Sequence, residues 1–162
     1  MSKNYRNIPP VGQWDGMSCW AACLEWWLKA VGDGRPKWSQ KDLIVNFYGF
    51  TDDSGGIQVD KLIVALNNNP NLKIQSGMFQ SAKYRYAPLP LGETPVIIMF
   101  REPQGGIHMN VVFGQTQRDV ICMEPYFPFP GVDYKRTGSF MQRKVDHFLG
   151  AKDFGLAWAR CD

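Results

Sequence analysis

The stretch Cys19–Val31 (CWAACLEWWLKAV) constrains this chain more than any other segment. Ser18 stands as an N-cap and Gly32 as a C-terminal stop, so the pattern predicts a helix over these residues. Its only charged residues, Glu25 and Lys29, lie at i,i+4 and mark one narrow stripe facing water. Every other position is apolar or small, and Trp20, Trp26 and Trp27 are among them. A helix of that kind has to be covered on most sides, so it is expected at the centre of the fold.

The composition supplies what is needed to cover it. The chain has 162 residues, a length that fits one domain, expected to span 1–162. Its 6 Trp, 10 Phe and 6 Tyr exclude a disordered tail, and its scattered Gly and Pro exclude a low-complexity chain. No apolar run approaches the ~18–20 residues that cross a bilayer. Met1–Pro10 carries charge but no apolar core, so no secretory signal peptide is visible. A soluble protein is expected, cytoplasmic or secreted by a signal-peptide-independent route, with no membrane partner.

The formal charge of +3 is spread thinly, and the densest patches, Lys83–Arg85 and Arg143–Lys144, hold two basic residues each. Nucleic-acid binders concentrate such charge in a stripe, so no nucleic-acid partner is expected. Cys19, Cys23, Cys122 and Cys161 do not have the spacing of a small disulfide framework. With no C-x-x-C pair and only His108 and His147 as imidazoles, no metal or other cofactor is expected. Most of these cysteines read as small buried hydrophobes.

The chain changes character near residue 70. A second helix is predicted over Gln40–Tyr48, introduced by Ser39 and Asp42 as a capping box and stopped by Gly49; a third covers Val59–Leu66. Phe50–Gly56 reads as loop. Afterwards come short β-rich runs at Leu72–Gln75, Pro95–Phe100, His108–Phe113, Val120–Glu124 and Leu156–Arg160. The expected fold is α+β, a helical subregion over about 18–70 packed on one side of an antiparallel sheet over about 71–162.

Chemistry concentrates in Gln13–Ala22 (QWDGMSCWAA). Cys19 stands in the predicted first turn of the central helix, where unpaired amides and the helix dipole favour a thiolate and can also stabilise an oxyanion. Such a nucleophile needs an imidazole nearby. His108 lies in GGIHMNVVFG, a Gly pair followed by an alternating strand, whereas His147 lies in the polar segment KVDHFLG and reads as a surface or otherwise satisfied residue. His108 is therefore the candidate base. If the turn after its strand centres on Thr116, Glu124 falls directly opposite His108 on the same sheet face. Asn110, two residues on, shares that face and competes for the role of orienting the ring. Cys23, one turn after Cys19, reads as core.

Gln13, Ser18, Cys19, Trp20 and Ala21 match, place by place, the nucleophile region of papain-like cysteine proteases, which this chain resembles. Gly16 and Met17 stand where that signature has Cys-Gly. The resemblance implies a papain-like fold, and implies that Gln13 supplies its side-chain amide to an oxyanion hole beside the Cys19 backbone N–H. Glu124-Pro125 is similar to the Asp-Pro of bacteriocin-processing leader peptidases, one methylene longer; in papain the orienting residue is Asn. The 89 residues from Cys19 to His108 point to a compact bacterial form, similar to those leader peptidases and to cysteine protease effectors of plant pathogens.

The resemblance implies a cysteine peptidase acting on a peptide or isopeptide bond of a protein or peptide substrate, in the setting of a bacterial effector or toxin domain. An immunity or inhibitor protein would be a partner if it is a toxin. Two other classes fit the same residues: an amidase, deamidase or transglutaminase, cell-wall amidases included, and a binding module with a vestigial site. Cell-wall hydrolases of the related class carry Asp-Cys-Ser, where this chain has Ser18-Cys19-Trp20. The loop Gly49–Gly56 is a candidate cleft wall, and its Asp52-Asp53 pair reads as a solvated loop rather than a determinant for basic substrates.

Overall fold

The computed structural model describes residues 3–15, 17–32, 34–84, 92, 94–102, 106–128, 136–149 and 153–160. Gly16, Arg85, Gly105 and Cys161, all used in the sequence reading, lie outside these. Helix α1 spans Cys19–Val31, as expected. Helix α2 (Gln40–Asn46) starts at a complete Ser39–Asp42 capping box. It ends before Gly49, because the chain tightens into a 3-10 turn at Tyr48–Phe50. Helix α3 covers Val59–Asn67.

Six strands follow among the described residues: β1 (Ile74–Phe79), β2 (Val96–Arg101), β3 (Ile107–Gln115), β4 (Asp119–Glu124), β5 (Ser139–Lys144) and β6 (Phe154–Ala159). They form one antiparallel sheet in the order β1-β6-β2-β3-β4-β5. Two strands begin two residues away from their expected positions. Leu72 is buried in a turn that ends at Lys73 with a φ of 48°, which delays β1 to Ile74, and β6 starts two residues early at Phe154. Strand β5 was not foreseen: four of the six residues in SFMQRK are polar, as suits an edge strand paired only with β4.

The expectation of helices on one side of the sheet holds for α1–α3. A short helix α4 (Asp146–Leu149) covers the other face, so β2 is buried on both sides. Ile97 and Met99 face the α1 core, while Ile98 and Phe100 face Phe148 and Leu149. This explains why Pro95–Phe100 shows no polar alternation.

Helix α1 is enclosed as its sequence demands, with ten of its thirteen residues buried. Each indole N–H still needs an acceptor, and each finds one on a different segment. Trp20 donates to Gly55 O at 3.2 Å, Trp26 to Ile8 O at 3.2 Å and Trp27 to Pro95 O at 2.8 Å. Glu25 does not face water as expected. One carboxylate oxygen pairs with Lys29 (3.1 Å), and the other accepts the backbone N–H of Gln40 (2.7 Å), tying α2 to α1.

The segment leading into α1 is threaded against the approach to β5. A Cβ on Gly12 would stand 1.9 Å from the Arg136 carbonyl oxygen, so only glycine fits there. Gly12→Ala would force two backbones apart, and a loss of about 3 kcal/mol is expected. Thermal unfolding followed by circular dichroism should show a midpoint roughly 6–12 °C lower; an unchanged midpoint would mean that this packing contributes little.

Candidate active site

The site forms at the end of the sheet where β3 begins and β4 stops, and where the N-terminus of α1 arrives. Ser18 is the N-cap residue but does not cap with its side chain. Its hydroxyl accepts the N–H of Asp15 instead (3.2 Å), which closes the turn carrying Met17 and leaves the first-turn amides of α1 uncapped by it. Cys19, 8% exposed, follows directly.

His108 hydrogen-bonds Glu124, and the neighbouring Cys19 acts on the same ring electrostatically. Its Nε2 meets Glu124 Oε1 at 2.5 Å, so Nδ1 is the ring nitrogen left for the thiol. The expected cross-strand carboxylate is present, but the register differs from the expected one by two residues. The β3–β4 turn closes between Thr116 and Asp119, and a bulge lies between Val112 and Gly114. Val111 faces Met123, so Asn110 rather than His108 stands opposite Glu124. A slip of two keeps side chains on the same face, and Glu124 reaches the ring along the diagonal.

Asn110 and Glu124 therefore do not compete for one place. Asn110 Nδ2 donates to Glu124 Oε2 at 2.8 Å and to Met109 O at 2.7 Å. Glu124 Oε1 also accepts the Tyr126 N–H (2.9 Å), and Oε2 accepts Arg143 Nη2 (2.8 Å). The carboxylate is 1% exposed and takes four hydrogen bonds.

Gln13 is buried in the segment between Gly12 and Trp14, with its backbone N–H on Pro125 O at 2.9 Å. One N–H of its side-chain amide donates to Asp15 O (2.6 Å), and the same nitrogen carries a second N–H. Gln40 braces this segment, and sequence reasoning missed it. Its amide nitrogen donates to Gly12 O (3.0 Å) and its amide oxygen accepts the Trp14 N–H (3.0 Å), so it holds the backbone on both sides of Gln13. Arg143 was also missed as a partner of Glu124, because it stands on the unforeseen edge strand.

The remaining sequence candidates settle into structural places. Cys23 is fully buried, and burial, with the charges of Cys19 and Glu124, raises its thiol well above the ordinary value. Burial likewise pushes Cys122 up to about 12, and its Sγ lies 3.5 Å from Asn110 Oδ1. His147 is half-buried and bonded to Arg143. The loop expected as a cleft wall packs on the start of helix α1, with Gly55 O on Trp20 and Gly56 against Met17. Asp52 spends its carboxylate on the amides of Ser54 and Gly56 within that loop.

Electrostatics bind the pair together. Burial alone would lower the pKa of His108, but the hydrogen bonds and charges of Cys19 and Glu124 override it and raise the value from 6.5 to about 10. Burial would raise the pKa of Glu124, yet the hydrogen bonds and charge of His108, with Asn110 and the Tyr126 amide, hold it below its ordinary 4.5. The imidazolium therefore contributes stability that is complete below pH ~6.5 and is lost as pH rises towards 10. The Glu124 contribution is present above the unfolded carboxylate value and is lost as pH falls through the lower folded one. The unfolding temperature is expected to fall between pH ~7 and ~10, and Glu124→Gln should flatten that slope. A flat wild-type profile over this range would contradict a buried ion pair.

No family model matches the sequence, and no curated protein matches it. Among solved structures, the chain is similar to the peptidase domain of Streptococcus ComA, described as a bifunctional ABC transporter involved in a quorum-sensing pathway. The TM-score is 0.61 at 16% sequence identity, over 94% of this chain and 99% of that one. Among the described residues, no helix is long and apolar enough to cross a membrane. At that identity the likeness is one of fold: this chain has the α+β architecture of a papain-like peptidase domain, with its N-terminal helices packed on a six-stranded antiparallel sheet.

Proposed function

We propose that this protein is a papain-like cysteine peptidase, with Cys19 as nucleophile, His108 as acid and base, and Glu124 as the residue that orients the ring. The observation that carries this reading is the buried His108–Glu124 pair, with Nε2 and Oε1 2.5 Å apart, and the buried Cys19 that acts on the same ring. The fold of the ComA peptidase domain supports it.

In this reading the Cys19 sulfur attacks the carbonyl carbon of a peptide bond and forms a C–S bond. The displaced electron pair moves to the carbonyl oxygen, which the Cys19 backbone N–H and the second Gln13 amide N–H receive. The C–N bond then breaks as the proton on His108 Nδ1 passes to the leaving nitrogen, leaving a thioester. Water attacks the thioester and gives a proton back to Nδ1, the C–S bond breaks, and the thiolate–imidazolium pair returns. Glu124 holds Nε2 throughout and is not itself protonated.

A cavity of about 670 Å³, within the ~300–1,000 Å³ range of ligand sites, lies where β2 ends and β3 begins, and neither Cys19 nor His108 lines it. Phe100, its ring centroid 5.7 Å from that of His108, and Ile107, the residue before His108, line it together with Val59, Met78 and Met99.

Alkylation of Cys19 by iodoacetamide, read by peptide mass spectrometry, tests the pair. At pH ~5.5, well below the ~8.5 of a free thiol, wild type should label at least about tenfold faster than His108→Ala. Incubation with a complex peptide mixture should give cleavage that Cys19→Ala reduces by roughly 10⁴-fold or more. Labelling only above pH ~8, or at equal rates in wild type and His108→Ala, would remove the reading.

A further inference from the structure

A glutamate in the orienting position has one more rotatable bond than an aspartate, and its carboxylate can point the ring nitrogen only if that freedom is removed. Glu124 Oε1 is fixed by His108 and the Tyr126 amide. Oε2 is fixed by Asn110 and by the guanidinium of Arg143, 2.8 Å away. Arg143 is the only one of these four that brings a permanent charge. Its other terminal nitrogen, Nη1, bonds His147 Nε2. The His147 ring stands edge-on to Phe100 and Phe148, which anchors it in the core on this face of the sheet.

We propose that Arg143, held in place by His147, is a positioning residue that locks the Glu124 carboxylate and balances its charge while His108 changes protonation. The inference rests on the reading of Cys19 and His108 as nucleophile and base. Before attack, thiolate, imidazolium, carboxylate and guanidinium sum to zero. In the thioester the sulfur is neutral and His108 has given its proton away, so carboxylate and guanidinium again sum to zero. Without Arg143 the second state would hold a lone buried carboxylate, which is costly. His108 would then keep its proton too firmly to act as an acid.

The groups facing Glu124 are His108 and Asn110 from β3, Tyr126 beyond β4 and Arg143 from β5, with the charge of Cys19 reaching the site through His108. Those facing Arg143 are Glu124, Met141, Cys122 and His147. His147 has to accept at Nε2, so it carries its proton on Nδ1. Burial and the adjacent Arg143 lower its pKa to about 4, which keeps it neutral at working pH.

Two measurements test this. In wild type, histidine ring ¹⁵N spectra at pH 6 should show His147 neutral and protonated on Nδ1; a charged ring, or one protonated on Nε2, overturns the proposal. The acid limb of Cys19 alkylation by iodoacetamide should move up by about one pH unit in Arg143→Gln and return most of the way in Arg143→Lys. In a Glu124→Gln background, Arg143→Gln should move it no further. A folded Arg143→Gln with the wild-type limb overturns the role of Arg143. Equal alkylation in wild type and His108→Ala would instead overturn the underlying Cys–His reading. If Arg143→Gln does not fold, the wild-type spectra still decide.

Discussion

Three indole rings on one thirteen-residue helix must leave water and still place three N–H groups on acceptors, and the rest of the molecule is arranged around that demand. The acceptors come from the N-terminal arm at Ile8, the loop after α2 at Gly55 and the lead-in to β2 at Pro95. A buried indole N–H without a partner costs on the order of 1–3 kcal/mol, so each contact has a steep penalty for misplacement. The helix is thereby anchored in three directions. Its N-terminal residue, Cys19, is carried to the end of the sheet as a result of packing that has nothing to do with chemistry.

The sheet supplies the other half of the site by a different logic. Charges enter a region with almost no water, and they are tolerated because each one has a partner. Glu124 has donors on both oxygens, His108 sits between a thiol and a carboxylate, and Arg143 reaches from the outermost strand. Hydrogen bonds in such a setting reinforce one another. Alternation along β3 and β4 puts His108, Asn110 and Glu124 on one face, and the bulge near Gly114 sets how far along that face they meet.

Helix α1 was readable to the residue, because an apolar segment between Ser18 and Gly32, interrupted only by Glu25 and Lys29 one turn apart, admits no other reading. The side-chain parity of His108 and Glu124 was readable too, since a strand has period two. Their register was not, because a bulge leaves no mark in the sequence and Gly114 looks like any glycine near a turn. Strand β5 was hidden by its position: an edge strand needs only one apolar face, and Gln142, Arg143 and Lys144 resemble a solvated loop. Arg143 went unnoticed for the same reason. Gln40 was concealed by a helix start that already accounted for its neighbours, although a buried glutamine at the first helical position is a reason to look for partners.

Gln40 also divides the site into two bodies. Through Glu25 it is fastened to α1, and through Gly12 and Trp14 to the backbone around Gln13. Cys19 and Gln13 thus ride on one triangulated frame, while the His108 imidazole and the Glu124 carboxylate ride on the sheet. The hydrogen bond from the Gln13 amide to Pro125 is a rivet between the two. Within each body the geometry of these side chains is fixed by construction. The sulfur-to-imidazole gap is the one dimension the two bodies must agree on, and so the one where a small misfit anywhere in the interface would be felt as chemistry.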